Sequence, residues 1–390
     1  MKVIYIGAFR LPCYDAAAPR VLNNAKIFRE AGNEVSFISW GGKYREQDRC
    51  EGGKYRVDGF RYIITGELDS IGFINRIKTK LSRGRRTMRL LNQIEEKPDL
   101  IIMYNADFSL TKRMIKFCDR HCIKLANDIT EWFSNNELRW MDCIPNALNM
   151  KFLQHRVLNK IVISSMLDKY YPESNNLLLP PLCDHSESKW GQTVEDARIP
   201  PFDGVTLIYA GNPAKKDCLH TVINAVNKLA AEGAPIRLLL LGTTWEAYWR
   251  SFHKLIGGSQ LHSNIVFLGK VSQELIPAYY KKADFMVLLR KPTRKSNAGF
   301  PTKVAESMTA GVPVICNATS DLAKYVRDGE TGFLVDGYGV SDIERVLKEK
   351  VLSLRYGEII KMKESTARCN AAFDYRSYVN DTKGFLDMLR

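Results

Sequence analysis

The feature that most constrains this chain is an alternation repeated along its length. Short, nearly continuous apolar runs stop at a glycine, and each is followed by a stretch with helical spacing. Lys2-Val-Ile-Tyr-Ile-Gly7, Val205-Thr-Leu-Ile-Tyr-Ala210-Gly211 and Ile236-Arg-Leu-Leu-Leu-Leu241-Gly242 are such runs. Strands buried on both faces read this way, whereas half-exposed strands alternate with polar residues. Alternating strands and helices imply parallel sheets covered by helices, the α/β class. From Ala16 to Ala31 the apolar positions Val21, Leu22, Ala25 and Phe28 keep helical spacing, and Glu34 to Trp40 is the next strand. That span reads as a right-handed βαβ unit. No Gly-x-Gly-x-x-Gly follows the first strand, so nothing there supports a dinucleotide site.

The pattern runs through strands at Asp99 to Tyr104, Ile123 to Asp128, Lys160 to Ser164 and Asn176 to Leu182. Helices are predicted at Phe108 to His121, Pro145 to Leu158 and Ser165 to Tyr171, and Asp58-Gly59 marks a hairpin. A polar, proline-bearing stretch from His185 to Gly204 interrupts the pattern, which restarts at Val205. At 390 residues the chain exceeds one ordinary core. Two domains are therefore expected, 1–190 and 191–372, followed by a final helix in 373–390.

The net charge of +14 selects for anionic partners: nucleotide phosphates, nucleic acid or an acidic membrane surface. Part of it lies in 71–91, where Arg76, Lys78, Lys80, Arg83, Arg85, Arg86 and Arg89 occur with no acidic residue among them. Two readings stand: a core-packed helix with a solvated basic face, or an interfacial helix held to anionic lipid. The one-signed run favours the second. No aromatic-studded single-strand platform appears, which places nucleic acid last. Nine scattered cysteines without a Cys-x-x-Cys pair point to reduced thiols in the cytoplasm and to no zinc site. The opening apolar run is cut by Arg10, too early for a signal peptide, and no apolar stretch is long enough to span a bilayer.

The chemistry concentrates in Gly299-Phe-Pro-Thr-Lys-Val-Ala-Glu-Ser-Met-Thr-Ala-Gly-Val-Pro-Val-Ile315. Pro301 and Thr302 suit a helix start, Gly311 and Pro313 its stop, and Val312, Val314 and Ile315 a buried strand. A loop feeding a helix N-terminus offers unpaired N–H groups and a positive dipole end to a phosphate. Glu306 lies four residues past Thr302, on the same face, where a carboxylate can accept both hydroxyls of a ribose. Gly211, Asn212, Lys215 and Lys216 form a second loop, with two lysines placed as a diphosphate clamp ahead of the helix from Cys218 to Ala231. Gly242, Gly269 and Lys270 end two further strands. In the first half, Arg20 near a helix start can reach a cleft at the carboxyl ends of the strands or stand as a solvated helix arginine. Asp128 and Glu131 end a strand, where the alternatives are a ligand cleft and a helix cap.

In this order and spacing the motifs resemble glycosyltransferase family 4. They include Arg20 through Val35, Leu177-Leu-Leu-Pro-Pro-Leu-Cys-Asp184, Tyr209 through Asp217, Gly299 through Ile315 and Asp328-Gly-Glu-Thr-Gly-Phe-Leu-Val335. The resemblance implies the GT-B architecture: two Rossmann-like domains with parallel sheets facing across a cleft, and a C-terminal helix returning to the first domain. It implies transfer of a sugar, with retention of configuration, from a UDP- or GDP-linked donor to a glycan or lipid-linked acceptor in surface-polysaccharide synthesis. No metal or other cofactor is implied. Lys216 or Lys215, the amides from Phe300 to Lys303 and the Thr302 hydroxyl would carry the diphosphate charge, Glu306 the ribose, and Asp128 the acceptor hydroxyl. The family's usual first glutamate falls on Ala298, and its Gly-Arg becomes Gly211-Asn212 in a shorter loop. The Pro-Thr-Lys form resembles bacterial surface-polysaccharide enzymes that often lack that glutamate. A non-catalytic GT-B nucleotide-sugar binder, or an epimerase on the same fold, is the alternative. Location is expected in the cytoplasm, with peripheral attachment to the inner membrane face through 71–91.

Overall fold

The structure is a computed structural model that describes residues 1–68, 82–214, 216–258 and 260–390. It divides into two compact units, Met1–Leu182 with Tyr375–Arg390, and Cys183–Asp374. The stretch expected to link them, 185–204, belongs to the second unit from its first residue.

The first unit is built on nine strands: β1 (Lys2–Leu11), β2 (Glu34–Gly42), β3 (Arg49–Cys50), β4 (Lys54–Val57), β5 (Phe60–Ile64), β6 (Leu100–Tyr104), β7 (Lys124–Ile129), β8 (Asn159–Val162) and β9 (Asn175–Leu178). Their order is β3-β4-β5-β2-β1-β6-β7-β8-β9, parallel except around the β3–β4–β5 meander. One face packs Tyr5, Phe9, Phe37, Leu100 and Ile102 against the helix Ala17–Glu30 and the chain's last helix, Val379–Asp387. The other face packs Ile4, Ile6, Ile101 and Met103 against Phe108–His121 and Arg85–Gln93. Successive residues of β1 and β6 thus feed opposite cores, as an internal strand requires.

The second unit carries β10 (Val205–Ala210), β11 (Ile236–Leu241), β12 (Ile265–Gly269), β13 (Phe285–Leu288), β14 (Val314–Asn317) and β15 (Gly332–Val335) in the order β12-β11-β10-β13-β14-β15, all parallel. β10, β11, β13 and β14 are buried at every residue, which is what their unbroken apolar runs demand.

Several local expectations are corrected. The helix predicted to begin at Pro145 begins at Trp140, with Pro145 inside it. The proline removes one backbone bond and the helix runs through it, so reading it as a helix start misplaces the boundary. Of the basic segment, residues 69–81 lie outside the described residues, and the Arg85–Gln93 helix follows Gly84 in left-handed conformation. The loop from Arg290 to Ala298 contains a short helix, Arg294–Ala298, closed by a reciprocal Thr293–Ser296 capping box. No disulfide joins any of the nine cysteines. Among the described residues, no helix is long and apolar enough to cross a membrane.

Candidate functional site

In the second sheet β10 and β13 are neighbours while the chain order reverses between them, and a ligand crevice is expected at their carboxyl ends. The loops that leave those ends meet on Asp217. Its carboxylate accepts from Tyr209 Oη at 2.8 Å, Arg290 Nε at 2.9 Å and Lys303 Nζ at 3.1 Å. The Asp217 side chain is 1% exposed. Burial alone would raise its pKa, but the Lys303 and Arg290 charges outweigh that and hold it below the usual carboxylate range. Arg290 is fixed in turn by Asn317, which accepts from the Arg290 N–H at 2.9 Å and donates to its carbonyl at 2.7 Å. Three loop or strand ends are therefore locked around one anion.

Lys303, whose backbone amide is expected at a ligand phosphate, spends its ammonium on Asp217, with Nζ 4.9 Å from the centre of the Tyr209 ring. Its stem also explains Gly211, where a Cβ would stand 2.6 Å from Lys303 Cε. Gly242 is tighter still, since a Cβ there would lie 2.5 Å from the Gly211 carbonyl carbon and oxygen. Lys216 is half-buried, and its carbonyl accepts from the Lys291 N–H at 3.4 Å, which ties the two loops together. Lys215 lies outside the described residues, and Asn212 and Lys270 are exposed. The Gly269 carbonyl accepts from the Gly242 N–H at 2.7 Å, so the ends of β11 and β12 are also joined.

The helix Thr302–Thr309 starts beside this cluster. Pro301 is its N-cap and supplies no side-chain cap. Val304 N–H bonds the Pro301 carbonyl, while the N–H groups of Thr302 and Lys303 have no acceptor among the described residues. Such groups and the dipole behind them suit an anion. Phe300, expected at the ligand, has a buried ring packed edge-on against Tyr325 and Phe373, so its side chain serves the core. Gly299 N–H is taken by the Lys295 carbonyl.

Glu306 is half-buried one turn into the helix, and no hydrogen bond reaches its carboxylate among the described residues. Burial raises its pKa, with Lys189 and Lys303 opposing. Close enough to feel the Glu306 charge, the Tyr280 hydroxyl is buried without a hydrogen-bond partner among the described residues. Ala298, where the resemblance expects a glutamate, is completely buried.

In the first unit Arg20 and Asp128 occupy each other. Arg20 Nε lies 3.1 Å from both carboxylate oxygens and Nη2 2.7 Å from one, while Nη1 donates to the Leu179 and Pro180 carbonyls. Tyr5 Oη and Asn24 Nδ2 donate to the same carboxylate. Both side chains are under 5% exposed. Arg20, expected to reach a cleft or stand as a solvated helix arginine, and Asp128, expected at an acceptor hydroxyl or as a helix cap, here share a buried network that pins the first helix to the ends of β7 and β9. Sequence reasoning misses Asp217, Arg290, Tyr209, Tyr5 and Asn24. Of these only Asp217 carries a signal, as the acid that follows two lysines in a predicted loop.

Residues 196–362 match the family described as glycosyl transferases group 1. The chain is 30% identical over 131 residues to the putative colanic acid biosynthesis glycosyltransferase WcaL of Salmonella typhimurium, covering 33% of this chain and 32% of that protein. It is 25% identical over 160 residues to alpha-D-kanosaminyltransferase of Streptomyces kanamyceticus, covering 40% of each. The chain thus spans about a third of the one relative and two-fifths of the other. Among solved structures, sucrose-phosphate synthase from Thermosynechococcus elongatus superposes with a TM-score of 0.74 at 16% identity, covering 99% of this chain and 98% of that one. Anabaena HepE in complex with UDP and glucose superposes with a TM-score of 0.70 at 13% identity, covering both chains fully. The fold is the one GT-B glycosyltransferases share.

Proposed function

We propose, from the GT-B fold and the group 1 glycosyl transferase match of residues 196–362, that this protein transfers a sugar from a nucleotide-linked donor to a glycan or lipid-linked acceptor. The observation that carries the reading is the uncapped start of the Thr302–Thr309 helix with the unpartnered Glu306 carboxylate one turn inside it. Diphosphate on the first and ribose on the second describe a nucleoside diphosphate. The UDP and glucose recorded with HepE support a UDP-sugar as the first donor to try.

In this reading the donor's bond from C1 to the diphosphate oxygen breaks while the acceptor oxygen bonds C1 on the same face, so configuration is retained. The acceptor proton passes to the leaving phosphate oxygen, and the products are the glycosylated acceptor and a nucleoside diphosphate. Charge grows on the leaving oxygen, where the Thr302 and Lys303 amides, the Thr302 hydroxyl and Lys216 would meet it. These positive groups supply the stabilisation a metal would otherwise give. Lys303 and Arg290 act one step back, by fixing Asp217 and hence the two loops. Asp128 acts through Arg20 as a positioning residue. The WcaL likeness supports a surface-polysaccharide acceptor, and the family 4 assignment belongs to the same reading.

Donor turnover tests it. Wild type with a UDP-sugar panel and a glycan or lipid-linked acceptor should release nucleoside diphosphate in step with product, and Lys216→Ala should be slower by roughly ten- to a hundredfold, the cost of one charge-assisted contact. Undiminished turnover in Lys216→Ala would remove the clamp. Nucleotide binding without turnover would favour the second reading, a nucleotide-sugar-binding protein, which the buried Ala298 in place of a glutamate supports.

A further inference from the structure

The helix that begins at Trp140 presents the wrong face to water. Trp140, Ile144, Leu148 and Phe152 recur every fourth residue and are 82%, 70%, 40% and 64% exposed. The Trp140–Leu148 helix contains no buried residue and continues through Asn149–Leu153 and Gln154–Arg156. Its inward contacts are made further along, by Asn149, Met150 and Gln154. Isolated exposed apolar residues are ordinary, but four in one register form a stripe that a solvated helix does not carry.

The ends of the stripe are basic. Arg139 precedes it, Lys151 lies within it beside Phe152 and Arg156 follows, all exposed, and none forms an ion pair among the described residues. The first unit as a whole holds 32 of the 57 Lys and Arg residues against 22 of the 43 Asp and Glu residues, so its field adds to the local charge. A tryptophan at one end, aliphatic and aromatic side chains along one line and unpaired cations at both ends match the region between lipid head groups and acyl chains.

We propose that the Trp140–Arg156 segment is a docking surface for an anionic lipid bilayer. Trp140, Ile144, Leu148 and Phe152 enter the acyl boundary, and Arg139, Lys151 and Arg156 meet acidic head groups. The surface shares no residue with the basic segment 71–91 and does not depend on the transferase reading.

Sedimentation with phosphatidylcholine vesicles, with and without phosphatidylglycerol, tests this on the full chain. Wild type should bind the anionic vesicles, less tightly as salt rises. Trp140→Ser/Ile144→Ser/Phe152→Ser should weaken binding by roughly tenfold or more, and Arg139→Gln/Lys151→Gln/Arg156→Gln should abolish the preference for anionic lipid. Unchanged melting temperatures would show that both variants fold; Phe152→Ser alone replaces the triple variant if that one melts early. The proposal is overturned if wild type ignores both vesicles or if the apolar variant binds like wild type. It is also overturned if the stripe drives only self-association, seen as a concentration-dependent dimer that the apolar variant abolishes without any vesicle binding.

Discussion

The Lys303 ammonium lies 3.1 Å from the Asp217 carboxylate, and both are drawn out of water where two loops and a helix start converge. The pair is one side of a buried cluster in which Asp217 also balances Arg290. A buried pair is weak evidence for stability, but removing one partner is costly because the others keep their charge. Asp217→Ala should therefore destabilise the second unit by about 3–5 kcal/mol, read as a lowered denaturation midpoint. Lys303→Met should cost less, since Arg290 still neutralises the carboxylate.

The same logic applies to Arg20 and Asp128. Arg20→Lys keeps the charge but loses the fork that reaches Asp128 and the carbonyls of Leu179 and Pro180 together. It should lower the stability of the first unit by about 2–3 kcal/mol and leave nucleotide affinity unchanged. Lost nucleotide affinity at preserved stability would return Arg20 to the ligand.

Two glycines differ in a measurable way. At Gly211 the obstacle is the flexible stem of Lys303, whereas at Gly242 it is the Gly211 backbone. Gly242→Ala should be the more damaging of the two by about 1 kcal/mol or more in unfolding free energy, because backbone cannot move aside as a side chain can.

Lys160 gives a pH prediction. It is fully buried, donates to Ser174 Oγ at 2.6 Å and lies 4.4 Å from the centre of the Tyr171 ring, and burial brings its pKa down to about 7. The unfolded chain keeps the usual value of 10.5, so between these limits it binds more protons than the folded chain. Stability contributed by this group should rise as pH increases from about 7 toward 10.5, by up to roughly 1 kcal/mol per pH unit. Lys160→Met should flatten that slope in denaturant titrations; an unchanged slope would contradict the assignment.

Strand positions and layer class are legible because buried parallel strands leave unbroken apolar runs, as in β10 and β11. The helix start at Thr302 is legible from Pro301 and the later Gly311. What is not legible depends on long-range partners. Nothing local marks Arg20 as the mate of Asp128, 108 positions away, or Lys303 as the mate of Asp217, 86 positions away. Arg20 therefore reads as a cleft residue or a solvated helix arginine, and Lys303 as one more loop amide. Pro145 misleads for a different reason: a single residue that suits a helix start also sits inside a helix when neighbouring turns hold it.

In the proposed donor site Glu306 receives a nucleotide's ribose. Calorimetric titration of UDP and GDP into wild type and Glu306→Ala tests it most directly. Wild type should bind one nucleotide tightly, and the variant should lose roughly ten- to a hundredfold in affinity, about 1.5–3 kcal/mol for hydrogen bonds to a charged group. Because burial raises the Glu306 pKa, wild-type affinity should also fall as pH drops, at values above its ordinary 4.5. Equal affinity for wild type and Glu306→Ala would show that Glu306 does not hold the ribose.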